Sequence, residues 1–233
     1  MTEQRVTVTI TDGVADVLLN RPEKRNALDP AMFAGLVAAG ERLSAQVGLP
    51  PGHGPARATG QRAAYVWAEV PVPVIAAVTG NALGGGLQIA LGADIRIVAP
   101  DARLSVLEIR WGLVPDMTGT QLLPELVGRD VAKELTFTGR VVRGAEAVAL
   151  GLATRVDPDP RQAALELARS IAGRSPEAIR AAKRLLDLAG RADLETGLAA
   201  EQKEIGALIG SANQAEAVAA EFEQRPPRFT DPG

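Results

Sequence analysis

Residues 73–100 read PVIAAVTGNALGGGLQIALGADIRIVAP, and this stretch decides the fold prediction. Val72 to Thr79 is rich in β-branched residues and predicts a buried strand. Three consecutive glycines, Gly84 to Gly86, follow it and lead into a short apolar helix. Glycine lets a ligand approach the main chain closely, and the first turn of a helix carries N–H groups without an intrahelical acceptor. The stretch therefore predicts a strand, a loop and a helix whose backbone donors suit a developing oxyanion.

The glycines also allow two other interpretations. A P-loop needs Lys and Ser or Thr after its glycines, and a dinucleotide-binding turn needs the Gly-x-Gly-x-x-Gly spacing. Here the glycines are contiguous and no Lys follows them, so both nucleotide-binding routes are disfavoured. Close packing of the helix on the sheet remains open as a purely structural reason for the glycines.

Composition indicates a globular chain of enzyme size. With 233 residues, 46% of them hydrophobic, it can bury a full core as one large domain, with or without a helical appendage. A net charge of −3 without a basic tract argues against nucleic acid as a partner. The polar start, Met1 to Ile10, predicts no signal peptide, and no apolar run reaches membrane-spanning length. We therefore expect a cytoplasmic protein without a membrane partner.

The chain contains no cysteine and one histidine, which restricts its chemistry. Without Cys there is no disulfide, thiolate metal site or Cys nucleophile. His53 lies in a Pro- and Gly-rich loop, Leu49 to Pro55, and we interpret it as a solvated loop residue. A Ser-His-Asp triad would have to use this histidine, and one His is too few for a zinc site, so no metal is expected. Proton transfer is therefore assigned to carboxylates.

Periodicity predicts the elements at the start of the chain. Alternating residues from Val6 to Ile10 and from Val14 to Leu19 flank an Asp-Gly turn and predict a hairpin. Asp29 followed by Pro30 predicts the start of a helix. The apolar face of this helix consists of Met32, Leu36, Ala39 and Leu43.

A second buried strand, Ile95 to Ala99, favours an α/β core with parallel strands, and helices dominate from Asp159 onward. Ser175 is expected to cap one of them, and two more are predicted over Ala192 to Ile209 and Asn213 to Phe222. The residues expected to face inward from the helix after Ser175 are Ile179, Ala182, Leu185 and Leu186.

Several motifs match one known family in order and spacing. They are Arg21 to Leu28 (RPEKRNAL), the Gly-rich block to Asp94, Gly112 to Pro115 (GLVP), Gly119 to Gln121 (GTQ), Thr138 to Arg140 (TGR), Ala145 to Ala147 (AEA), Gly151-Leu152 and Gln224 to Phe229 (QRPPRF). Together they resemble the crotonase superfamily, the enoyl-CoA hydratase/isomerase family. The resemblance implies an α/β fold with a crotonase-like (ClpP/crotonase) spiral core over residues 1–158. It also implies a C-terminal helical region, residues 159–233, that covers the acyl-CoA pocket and builds a homotrimer or hexamer.

The resemblance also implies an active site. Gly85 takes the place of the glycine whose amide holds the thioester oxygen, with Gly84 beside it. The two acids of the family fall on Gln88 and Glu108, so one acid is replaced by an amide. Asp116 stands where typical hydratases have glycine and where the dienoyl-CoA isomerase branch has an Asp, although that branch also has an Asp at the position of Gln88.

The resemblance further assigns residues to coenzyme A, which enters as part of the substrate, and no separate cofactor is expected. The turn after Arg21-Pro22 would line the entrance, and Phe229 would approach the nucleotide from the tail. The entrance residues are Lys24, Arg25, Ala27 and Leu28.

One departure from the family lies near residues 46–60. The family continues from its first helix through a Val-rich buried strand into an Ala-x-Ala-Gly-x-Asp turn, whose alanine supplies the second oxyanion donor. Here Gln46 leads directly into Val47-Gly48-Leu49-Pro50-Pro51, without that strand or turn. Losing one oxyanion donor costs about 10²–10³ in turnover in subtilisin.

The sequence alone also allows purely structural roles for these three side chains. Glu108 could pair with Arg103 or Arg110 on a surface. Asp116 could cap the helix that runs toward Leu123. Gln88 could be an ordinary hydrogen-bonded helix residue.

Three functions are therefore compared. The favoured one is isomerisation of an unsaturated fatty acyl-CoA thioester by a Glu108 proton shuttle, since one carboxylate can take a proton at one carbon and return it at another. The second is an enoyl-CoA hydratase in which Gln88 orients the water. The third is a catalytically silent acyl-CoA-binding subunit.

Overall fold

The computed structural model describes residues 4–50, 52 and 54–231, so the interpretation of His53 falls outside the described residues. Strands and α-helices are numbered along the chain. The strands are β1 (Val6–Thr11), β2 (Val14–Leu19), β3 (Ile75–Val78), β4 (Asn81–Leu83), β5 (Ile95–Val98), β6 (Arg103–Ser105), β7 (Val142–Arg143) and β8 (Arg155–Val156). The helices are α1 (Pro30–Ala45), α2 (Thr59–Glu69), α3 (Gly85–Leu91), α4 (Gly119–Val127), α5 (Arg129–Thr138), α6 (Gly144–Ala149), α7 (Pro160–Ala172), α8 (Pro176–Leu188), α9 (Leu194–Leu208) and α10 (Ala212–Phe222).

The N-terminal layer is the predicted hairpin packed on two helices. β1 and β2 pair antiparallel from Val6 opposite Leu19. The Asp29 side chain accepts a hydrogen bond of 2.8 Å from the Met32 N–H and caps α1, as predicted. One apolar cluster joins the hairpin, α1 and α2, and its fully buried side chains include Met32, Leu36, Val66 and Val70.

The central layer brings the Gly-rich loop to the ends of parallel strands. β3 pairs parallel with β5, which pairs parallel with β8, while β4 pairs parallel with β6. β7 adds to β6 in the antiparallel sense. The two predicted strands are therefore present and parallel, as expected. β5 is largely buried, whereas in β3 only Val78 is buried and Ala77 is exposed, so the prediction that this first strand is buried is wrong. Because β4 and β6 run the same way, the residues that follow them meet at one edge.

The C-terminal region is helical, as predicted. α7 packs on the central strands through Ala163 and Ala164, which contact Ile97. Ser175 caps α8 by accepting from the Ala178 N–H. α9 has no buried residue within this chain. How the chain divides into domains at residues 158 and 159 stays a prediction.

The predicted inward face of α8 is partly wrong. Ala182 is exposed and Leu186 is 75% exposed, whereas Arg180, Ala181 and Lys183 are buried. The reason is that long basic side chains can bury their stems when their charged ends find partners. Lys183 Nζ donates 2.7 Å to Asp94 Oδ2, and Arg180 donates to Asp231.

The described residues between α1 and α2, which are 46–50, 52 and 54–58, form neither strand nor helix. The hairpin and the strand group that contains β3 form separate sheets. Within the described residues, no helix is long and apolar enough to cross a membrane. Nor does any cluster of His, Asp and Glu there have the composition to hold a metal ion.

Candidate active site

The Gly-rich loop turns sharply between β4 and α3. Gly84 has φ +55° and ψ −123°, which is a conformation that only glycine adopts readily. Its N–H donates 2.9 Å to the Ser105 carbonyl at the end of β6, which ties the loop to that strand. Gly85 begins α3, so its N–H lacks an intrahelical acceptor, and no described residue accepts from it. The loop therefore holds a free main-chain donor at the strand ends.

Glu108 lies beside this loop because it follows β6 by three residues. A Cβ placed on Gly84 would come 3.2 Å from Glu108 Oε1 and 3.8 Å from Oε2. Oε2 is buried and has no hydrogen-bond partner among the described residues. Glu108 pairs with neither Arg103 nor Arg110 there, because its bonded partner is Gln88. The interpretation of Glu108 as a surface ion pair is therefore wrong.

Gln88 is buried on the first turns of α3, with a relative exposure of 1%. Its Nε2 donates 2.6 Å to Glu108 Oε1. Its Oε1 accepts from the Met117 N–H at 2.8 Å and from the Gly119 N–H at 3.0 Å. The amide thus connects Glu108 with the turn that precedes α4.

Asp116 is adjacent to this cluster in sequence, but its side chain is exposed. No hydrogen bond or ion pair involves that side chain within the described residues. The N-cap of α4 is Thr118, and no side chain caps this helix. The interpretation of Asp116 as a helix cap is therefore wrong, and its role as a second acid stays a prediction.

The turn after Arg21 lies next to the glycine loop. Arg25 and Asn26 both have positive φ, and Asn26 Oδ1 accepts 2.8 Å from the Arg21 N–H. Leu28 Cδ1 lies 2.8 Å from where a Cβ on Gly85 would stand, so this turn contacts the predicted oxyanion donor. The other three residues assigned to the coenzyme A entrance are exposed, and they are Lys24, Arg25 and Ala27.

Phe229 lies in a tail that is held on the C-terminal helices. Thr230 N donates 3.0 Å to Asn213 Oδ1, and Arg228 N donates 2.6 Å to Glu216 Oε1. Phe229 itself is half-buried. None of these hydrogen bonds reaches the glycine loop, so the contact of Phe229 with a nucleotide stays a prediction.

Sequence reasoning missed Met117 as a site residue. Its N–H bonds Gln88, and its sulfur lies 2.9 Å from where a Cβ on Gly85 would stand. It also missed three large exposed apolar side chains after Glu108, which are Trp111, Leu113 and Val114. Apolar groups exposed together in this way mark ligand or protein contacts, and their run in the sequence was the available signal.

Comparison with known proteins agrees with this architecture. The family model for enoyl-CoA hydratase/isomerase matches residues 56–232. The mitochondrial methylglutaconyl-CoA hydratase of Mus musculus is 40% identical over 168 residues, which are 70% of this chain and 54% of that protein. The chain thus spans about half the length of that relative.

A second relative aligns over more of the chain. The mitochondrial enoyl-CoA hydratase domain-containing protein 2 of Mus musculus is 34% identical, with 93% of this chain and 84% of that protein covered. The alignment runs over 249 positions although this chain has 233 residues, so the relative carries residues without a counterpart here.

Solved structures show the same fold. An enoyl-CoA hydratase from Bacillus anthracis superposes with a TM-score of 0.88 at 29% identity, over 97% of this chain and 99% of that one. One from Mycobacterium smegmatis gives 0.84 at 27% identity over the same shares. The crotonase-like α/β fold predicted from the motifs is thereby confirmed. On its motifs, family match and fold, the chain belongs to the enoyl-CoA hydratase/isomerase family of the crotonase superfamily.

Proposed function

We propose that this chain acts on an unsaturated fatty acyl-CoA thioester and favours isomerisation of its double bond. The Gly85 N–H would hold the thioester oxygen, and Glu108 would move the proton. The observation that carries the proposal is the Glu108 carboxylate beside the glycine loop, whose Oε2 is buried and unpartnered within the described residues. The side chain that bonds Glu108 is the amide of Gln88, and an amide neither takes nor gives a proton at neutral pH.

The proposed reaction needs one base. Glu108 takes a proton from the α-carbon of a β,γ-unsaturated thioester, and the electron pair moves into the carbonyl to give a dienolate. The negative oxygen accepts a hydrogen bond from the Gly85 N–H. Glu108 then returns the proton to the γ-carbon, so the double bond becomes conjugated and no atom is gained or lost. On a longer dienoyl thioester, Asp116 would carry the proton at the far end.

Replacing the proposed base tests this reaction. The wild-type protein and the Glu108→Gln variant are incubated with a 3-enoyl-CoA, and products are identified by chromatography and mass spectrometry. Removing a general base typically costs 10²–10⁴ in rate, so we expect turnover to fall at least about 100-fold. Acyl-CoA binding, measured by calorimetry, should change little because Glu108 forms no ion pair with the entrance residues.

The matched control is Glu125→Gln, since Glu125 is an exposed acid on α4 that pairs with Arg191 at 3.0 Å. Its turnover should equal that of the wild type. Turnover retained by Glu108→Gln would contradict the proposal. Acyl-CoA binding by the wild type without turnover of any enoyl thioester would instead favour a silent binding subunit, as expected if a second oxyanion donor is missing.

Hydration is the second candidate, because relatives of this chain carry that name. A short-chain-enoyl-CoA hydratase of Clostridium acetobutylicum is 38% identical over 66% of this chain. In this alternative the remaining Nε2 hydrogen of Gln88 orients the water. Crotonyl-CoA distinguishes the two functions, because hydration removes its conjugated absorbance and produces a 3-hydroxyacyl-CoA. Isomerisation leaves crotonyl-CoA unhydrated.

A further inference from the structure

The orientation of the Gln88 amide is determined by two main-chain donors. Its oxygen receives the N–H groups of Met117 and Gly119, at 2.8 and 3.0 Å. Turning the amide over would bring its NH₂ group against both donors, so only one orientation is compatible with the turn. A Cβ on Gly119 would lie 2.8 Å from the Gln88 oxygen, so glycine at that position lets the main chain come close.

This orientation commits the amide nitrogen to Glu108. Nε2 donates 2.6 Å to Oε1 of the carboxylate, which is a short, charge-assisted hydrogen bond. The two carboxylate oxygens are therefore unlike each other. Oε1 is occupied, whereas Oε2 is buried and has no partner among the described residues. A buried acceptor without a partner is costly, and such an atom is expected where a substrate completes the site.

We propose that Gln88 is a positioning residue that makes Oε2 of Glu108 the proton-carrying atom and keeps a second carboxylate from standing against Oε1. The inference rests on the proposed function and deepens it. In this inference the Gln88 amide orients the Glu108 carboxylate and does not orient a water molecule. The orientation of the Glu108 carboxylate also depends on the Met117–Gly119 turn, because the Gln88 amide hydrogen-bonds both the carboxylate and the turn.

Alternative side chains at position 88 cannot do the same. A glutamate would accept both N–H groups but would place a second carboxylate oxygen about where Nε2 stands, 2.6 Å from Glu108 Oε1. Two carboxylates that close cannot both be ionised and would share a proton. A methionine would fill the space but leave the two N–H donors and Oε1 without their partner.

The experiment compares Gln88→Met and Gln88→Glu with the wild type. Isomerisation of a 3-enoyl-CoA is followed across the pH range, with kcat and KM separated. A misplaced base can cost 100-fold, so for Gln88→Met we expect kcat to fall about 10- to 100-fold with KM changed less than about 3-fold. For Gln88→Glu we expect the acidic limb of the kcat profile to move upward by about one pH unit or more, because the pair shares a proton.

The matched control is Gln121→Met. Gln121 is exposed, and within the part of the chain that the structure describes its amide bonds only the neighbouring Thr120 hydroxyl, at 3.1 Å. Its kinetics and pH profile should be those of the wild type. An unchanged kcat in Gln88→Met together with an unmoved profile in Gln88→Glu would overturn the inference while leaving the proposed function intact. Gln88→Glu keeps the acceptor for both N–H groups, so its result stands even if Gln88→Met fails to fold.

A measurement without turnover separates this inference from the proposed function. In the NMR spectrum of the substrate-free protein, the Gln88 side-chain amide should give one strongly downfield proton. This signal should move upfield in Glu108→Gln, where the acceptor becomes neutral. If the wild type turns over no enoyl-CoA but shows this signal, the proposed function fails and the positioning of Glu108 stands. An ordinary amide signal in the wild type would overturn the positioning itself.

Discussion

Gly84 and Glu108 depend on each other at the scale of single residues. The glycine has a positive φ, and a Cβ on it would lie 3.2 Å from the carboxylate. The sequence predicted that Gly84, Gly85, Gln88 and Glu108 come together, because their spacing matched a known pattern. It could not predict that Gln88 accepts two main-chain N–H groups. Every residue except proline carries the same backbone N–H, so the residue types do not show which of these groups bonds a given side chain. For the same reason it left open whether Gln88 orients a water or is an ordinary hydrogen-bonded helix residue.

Alanine at position 84 should affect the base as well as the backbone. Holding a non-glycine residue in such a conformation costs about 1–3 kcal/mol of stability. The Cβ of Gly84→Ala would also press on Glu108, so turnover should fall about 10-fold or more, as expected for a displaced catalytic group. Thermal unfolding and enoyl-CoA turnover together measure the two effects.

Gly80→Ala is the matched control for Gly84→Ala. Gly80 also has a positive φ, of +65°, but a Cβ there meets nothing within 4 Å. It should lose comparable stability and keep wild-type turnover. Equal turnover losses in the two variants would show that strain alone, and not contact with Glu108, accounts for the effect.

At the scale of elements, caps and hairpins were predictable because their signals are local. Asp29 and Ser175 cap the helices that their sequences indicated. The face of α8 was not predictable from apolar periodicity, since Lys183 is buried by an ion pair with a residue 89 positions away. Leu186, on the other side, is exposed in the single chain. Burial by distant partners therefore overrides the periodic pattern.

The C-terminal tail is an element held by charge. Hydrogen bonds from Arg225 and from the Arg228 N–H lower the pKa of Glu216 from 4.5 to about 2. A lowered pKa in the folded state means that ionised Glu216 stabilises the tail above pH 4.5. This contribution is lost as the pH falls through that value toward about 2. The protection factors for hydrogen exchange in residues 225–231, which are corrected for the pH dependence of intrinsic exchange, should therefore fall on acidification.

Glu216→Gln should release the same tail at neutral pH, because the amide bonds Arg225 less strongly than the carboxylate does. Limited proteolysis detects the release as faster cleavage near Arg225. Glu221→Gln, on the same helix and exposed, should be cleaved at the wild-type rate. If Glu216→Gln and the wild type are equally resistant, the charge network does not hold the tail.

For the whole molecule, the fold class followed from the Gly-rich block and the ordered motifs. The subunit arrangement did not follow from them. Exposed apolar residues on α9 indicate that the helix makes a contact, but they do not identify the surface that it contacts. Leu194, Leu198 and Ile205 on α9 and Ile209 at its C-cap are spaced to share one face, and all four are exposed. We propose that this face contributes to a homotrimer or hexamer, as family resemblance implies.

Light scattering on the purified protein tests the assembly. The expected mass is three or six times 24.3 kDa. Leu198→Glu places a charge in the proposed contact and should lower the mass toward one subunit, with circular dichroism confirming that the helices remain. A wild type that stays monomeric at micromolar concentration would contradict the proposal.

The most direct test of the account is a crystal structure with a bound saturated acyl-CoA, which cannot isomerise. We expect the thioester oxygen about 2.7–3.1 Å from the Gly85 nitrogen, as in an oxyanion hole. We also expect Glu108 Oε2, rather than Oε1, to face the α-carbon, with the Gln88 amide still on Oε1. A thioester bound away from Gly85, or a Glu108 carboxylate turned into solvent, would contradict the account.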